Sequence, residues 1–86
     1  MVRGDEGMKH FVLSYNGECR ILRCNPRAPM SEINVAAFRV PYGPICLGVE
    51  RNVPLAIGRA RDGGFREAII EGQRMSLELE GVAGGV

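Results

Sequence analysis

Asn16-Gly17, lying between two β-rich runs, constrains this chain more than any other feature. A two-residue hairpin turn needs positive φ at both central positions, and Asn-Gly is the pair that adopts it most readily. The turn fixes a register over residues 9–24. Tyr15 faces Glu18, Leu13 faces Arg20, Phe11 faces Leu22, and Val12 faces Ile21. Phe11, Leu13 and Leu22 are the expected core face. Val12, Cys19 and Ile21 then form an apolar strip on the outer face, a candidate partner surface. A slip of one residue would exchange the two faces.

Downstream of Asn25-Pro26, Ser31 stands where a helix cap belongs, and Ile33, Ala36, Ala37 and Val40 recur at helical spacing. Pro41 and Gly43-Pro44 end that helix. Residues 45–49 read as a buried strand, Arg51-Asn52 as a turn and residues 53–57 as a brief further strand. Residues 59–64 read as loop, and 65–70 as one helical turn. Glu71-Gly72 is a turn. Residues 74–80 alternate, with Met75, Leu77 and Leu79 on one side and Arg74, Ser76, Glu78 and Glu80 on the other, the pattern of a strand with one face in water. The expected class is α+β: a mixed sheet with one helix packed on one face.

With 86 residues there is room for one small domain. The reading divides the chain into a leader (1–7), a domain (8–80) and an extended tail (81–86). Arg3-Gly4-Asp5, in the polar leader, is too short a match to carry function. A net charge of +1 argues against a nucleic-acid partner held through its phosphates. No window has the length and apolarity of a membrane span, and residues 1–7 lack a signal-peptide core, so a cytoplasmic protein is expected. Three cysteines without a CxxC pair, and a single histidine, make a disulfide framework or zinc site unexpected. His10 has no acid or nucleophile near it in sequence, and Asp62-Gly63-Gly64 is a turn without a P-loop lysine. Arg59, Arg61 and Arg66 either dock an acidic partner or solvate a loop, and solvation is the favoured reading.

The order of elements resembles the β-grasp fold of ubiquitin and its relatives. Residues 68–80, with the acidic-Gly turn Glu71-Gly72 before the last strand, look like the ending of the thiamine and molybdopterin sulfur carriers. The chain closes on Val82-Ala83-Gly84-Gly85-Val86, and residues 47–55 are similar to the preceding stretch of the same carriers. The resemblance implies a protein that is not itself an enzyme. It binds no metal or cofactor of its own. A partner activating enzyme uses ATP to adenylate its C-terminal carboxylate, which a thiol, amine or sulfide donor then attacks. Gly84 and Gly85 would be the conjugation residues. Gly81, Val82 and Ala83 would lead into the partner's channel, and a processing peptidase would cut between Gly85 and Val86. Glycine suits that role because it has no Cβ to block a narrow channel or shield the carbonyl.

Two functions follow: a ubiquitin-like modifier, passed by activating and conjugating enzymes to amines of target proteins, or a sulfur carrier that ends as a thiocarboxylate. A third is a β-grasp interaction module that binds through Val12 and Ile21. Lys9, the chain's one lysine, is the candidate acceptor for a further copy, which predicts single attachments or short linear products.

Overall fold

The structure, a computed structural model, describes residues 7–78. The hairpin forms as its turn dictates. Strands β1 (Lys9–Tyr15) and β2 (Glu18–Cys24) pair antiparallel in the expected register, with φ of 52° at Asn16 and 81° at Gly17. Strand β3 (Ile45–Glu50) lies antiparallel on the other side of β1, with a bulge between Val12 and Leu13. Strand β4 (Glu67–Ile70) runs parallel to β2. Strand β5 (Gln73–Ser76) returns antiparallel to β4 through Glu71-Gly72, whose φ values are 51° and 84°. The five strands make one mixed sheet in the order β3-β1-β2-β4-β5. The class is α+β, consistent with a β-grasp-like fold.

Two helices, not one, cover this sheet, and they lie on opposite faces. Helix α1 (Met30–Phe38) sets Ile33 and Ala37 on Phe11 and Leu13, with Leu22, Cys24, Ala28 and Phe38 around them. Helix α2 (Val53–Asp62) sets Ala56 and Ala60 over Val12, Cys19 and Ile21, together with Ala68, Ile70 and Leu77. The expected outer strip is therefore core. Alternating strand positions point to opposite faces, and here both sets are apolar because both faces are covered.

Helix α2 replaces the brief strand read at 53–57 and most of the loop read at 59–64. Asn52 starts it, its Oδ1 accepting the Leu55 N–H at 2.9 Å. Pro54 falls in the first turn, where a missing N–H costs nothing. Ala56 and Ala60 are four apart and have no bulk beyond Cβ, so the helix can lie close to the sheet. An Asn52→Ala variant should lose about 1 kcal/mol of stability in a urea titration, with an unchanged denaturant slope.

Helix α1 begins one residue before Ser31. Pro29 occupies the cap position without a side-chain bond, and its carbonyl accepts the N–H groups of Glu32 and Ile33 at 3.0 and 3.1 Å. The buried stripe is Ile33, Asn34 and Ala37, whereas Ala36 is exposed and Val40 lies beyond the helix. Arg39 ends the helix in the left-handed region at φ 64°. The Asn34 amide donates to the Pro41 carbonyl at 2.8 Å and holds the segment that follows.

Strand β3 is an edge rather than a buried strand, with Ile45, Cys46 and Val49 exposed. The helical turn read at 65–70 is instead mostly β4, whose partner β2 is remote in sequence. In the last segment the ladder covers Gln73–Ser76. Leu77 is buried as expected, but Met75 is 44% exposed because it lies at the open edge of the sheet. Leu79 and Glu80 lie outside the described residues. No helix among the described residues is long and apolar enough to cross a membrane.

Candidate functional site

The residues that the sequence assigns to chemistry, Gly84 and Gly85, lie outside the described residues, as do Gly81, Val82, Ala83 and Val86. The structure does describe how the chain is fastened just before them. Leu77 is 2% exposed and packs in the α2-side core. Its N–H donates to the Arg66 carbonyl at 2.8 Å. One residue later, the Glu78 carboxylate lies 3.8 Å from the Arg66 guanidinium. Arg74 bonds Glu67 at 3.0 Å beside it. Gly85 lies eight positions after Leu77. Covalent geometry thus allows Gly85 anywhere within roughly 28 Å of that anchor.

The fastening rests on a local sequence pattern. Leu77 is the one residue of the 74–78 run that reaches under α2, and on either side of it Arg74, Ser76 and Glu78 stay in water. Near this exit, β2 and β4 pair only at Arg20–Ile69 and Ile21–Ile70. Where they diverge, Glu18, Cys19, Arg66, Glu67 and Arg74 line an open cleft of about 210 Å³. Its rim carries both signs of charge. Arg20 is committed elsewhere. It donates to Glu18 through Nε and Nη2 at 3.1 and 2.9 Å, to the Ala37 carbonyl at 2.8 Å, and lies over the Phe38 ring at 5.0 Å.

Cys19, at the floor of the cleft, is no nucleophile at neutral pH. Burial pushes its thiol up to about 11 from 9.0. Burial, then the charges of Glu71 and Glu32, also raises Cys24. Thiolates are the reactive form, so both thiols are quiet when folded. The Cys19 shift links pH to stability. Above pH 9 the unfolded chain releases this proton while the folded chain keeps it. Stability therefore falls between about pH 9 and 11, with a slope from this thiol of up to about 1.4 kcal/mol per pH unit. A Cys19→Ala variant, compared by urea titrations over that range, should show a correspondingly shallower fall.

The other residues singled out from sequence divide clearly. Val12, Cys19 and Ile21 come together, but beneath α2 and with almost no exposed surface, so the interaction module built on that face is withdrawn. Lys9 opens β1 opposite Cys24 and is partly exposed. Arg59 does more than solvate a loop. From α2 it reaches across Gly48 and binds Glu50 through Nε and Nη2 at 3.0 and 2.8 Å. A Cβ at Gly48 would meet Arg59 Nε at 2.5 Å, so glycine makes room for that bond. His10 Nδ1 is buried without a hydrogen-bond partner among the described residues. No three His, Cys, Asp or Glu side chains converge as a metal site among the described residues. Sequence reading passed over the Arg66, Glu67, Arg74 and Glu78 cluster, because it took residues 65–70 as a helical turn and so gave the last strand no partner across Glu71-Gly72. No family model matches the chain, and no curated protein or solved structure is significantly similar to it.

Proposed function

We propose that this chain is the precursor of a ubiquitin-like protein modifier that works in the cytoplasm. A peptidase cuts after Gly85, an ATP-dependent activating enzyme adenylates the new carboxylate, and the acyl group passes to an amine of a target protein. The observation that carries this reading is the fastening of Leu77: the last core residue among the described residues of a β-grasp-like α+β domain stands eight positions before Gly85. The domain serves as a handle, and the acyl group beyond it does the chemistry in a partner's active site. Whatever follows Gly85 is removed by the cut, so Val86 does not obstruct the scheme.

The ending Ala83-Gly84-Gly85 favours a second reading, a sulfur carrier activated in the same way. The two differ in the nucleophile that attacks the adenylate. In the test, a chain ending at Gly85 and labelled at its N-terminus is incubated in an extract of the source cells, with ATP and with ATP removed. Covalent adducts that need ATP support the modifier. A mass gain matching replacement of one oxygen by sulfur, without adducts, supports the carrier. If neither appears, both readings fail.

A further inference from the structure

Strand β5 is the last in the sheet, and its outer edge has no strand partner among the described residues. Which backbone groups it offers follows from the hairpin. Gln73 pairs with Ile70 across the two-residue turn, and the Leu77 N–H is spent on Arg66. Residues 73, 75 and 77 therefore turn their N–H and C=O groups toward β4, and residues 74, 76 and 78 turn theirs outward. The edge is short and charged, but it has no lysine, proline or bulge, and its charges are of both signs. The Glu78 N–H donates to Ser76 Oγ at a long 3.3 Å.

The side chains along this edge read the same in both directions once charge is reversed. Arg74, Met75, Ser76, Leu77 and Glu78 form a cation, an apolar residue, a serine, an apolar residue and an anion. Laid antiparallel on itself about Ser76, the segment puts Arg74 opposite Glu78 of the second copy, and Met75 opposite Leu77. Each cross-strand pair joins opposite charges or apolar groups, and the two-fold axis makes each pair twice. The outward residues 74, 76 and 78 are the ones whose backbone groups this register needs. The flanking ion pairs extend the match. Arg74 would lie between its own Glu67, at 3.0 Å, and the second copy's Glu78, which in turn faces Arg66 of its own chain at 3.8 Å. Edge β3 has no such symmetry, because Glu50 is its one charged residue.

We propose that β5 is a self-association edge: two copies of the chain join antiparallel through residues 74–78 into one continuous sheet. The surface and its partner are distinct from the tail chemistry, and neither depends on the other.

The test uses the full chain in reducing buffer, followed by sedimentation velocity up to about 1 mM. The wild type should form a dimer that weakens as salt rises. Arg74→Glu and Glu78→Arg each replace two attractive pairs with two repulsive ones, and each should weaken self-association by about tenfold or more. Mixed together, the two variants should form a heterodimer, since every 74–78 pair is then of opposite charge. That recovery cannot come from misfolded chains. Val49→Lys, on the β3 edge, should leave the dimer intact. A wild type that stays monomeric throughout, single variants that pair as well as wild type, a mixture that does not recover, or loss of the dimer in Val49→Lys would each overturn the proposal.

Discussion

Val12→Asp abolishes the folded domain. Val12 has no exposed surface; it lies in the middle of β1 under Ala56 and Ala60 of α2. The substitution removes about 1.5–3 kcal/mol of apolar burial. It also puts a carboxylate where water cannot reach it, at a cost of several kcal/mol more. Arg59 of α2 is already bound to Glu50. Small domains have total stabilities of about 5–15 kcal/mol, with short chains near the lower end. The variant should show no cooperative thermal transition by circular dichroism. Val35→Asp, on the solvent side of α1, should stay within about 0.5 kcal/mol of wild type. A Val12→Asp chain that melts like the wild type would return Val12 to the surface and remove the second layer of core.

Gly85→Ala has the opposite profile: full stability and lost function. The residue lies eight positions beyond Leu77, the last core residue among the described residues, and the melting temperature should not change. The proposed partner channel must admit the last two residues and hold the Gly85 carbonyl beside the bound nucleotide. A Cβ at that position narrows the allowed backbone angles and crowds the line of attack. Displacing a reacting group by about 1 Å costs on the order of 100-fold in rate, and ATP-dependent adduct formation should fall by at least that much. Gly84→Ala should act in the same direction. Deleting Val86 should leave adduct formation intact and make it independent of the peptidase. Quantitative gel analysis of adducts, with melting curves on the same samples, checks both halves of the prediction.

The contrast between the two variants follows what the sequence made legible. The hairpin register could be read because Asn16-Gly17 admits few alternatives. The two-sided core was also written there, since Phe11, Leu13 and Leu22 on one face and Val12, Cys19 and Ile21 on the other are all apolar. A strand pair apolar on both faces needs two covers. Only one helix had been recognised, so one face was left in water. Helix α2 was hidden because Val53, Leu55 and Ile57 alternate like a strand. The helical signal rested on two alanines and on Asn52, which had been read as a turn. Strand β4 was hidden for another reason. Ala68-Ile69-Ile70 is too short to show a period, and its parallel partner β2 is remote in sequence. The Gly84-Gly85 motif is legible in sequence alone, and the fold contributes the anchor at Leu77 from which it departs.

Arg74 is the last basic residue of the sequence, so trypsin leaves residues 75–85 attached to any amine that Gly85 has acylated. Proteins recovered with the N-terminally tagged chain from the source cells, digested and sequenced by mass spectrometry, should carry that eleven-residue branch on lysine side chains or N-termini. Recovery of the chain only with Val86 still in place, and no such branch on any protein, would contradict the assignment of Gly85 as the reactive end.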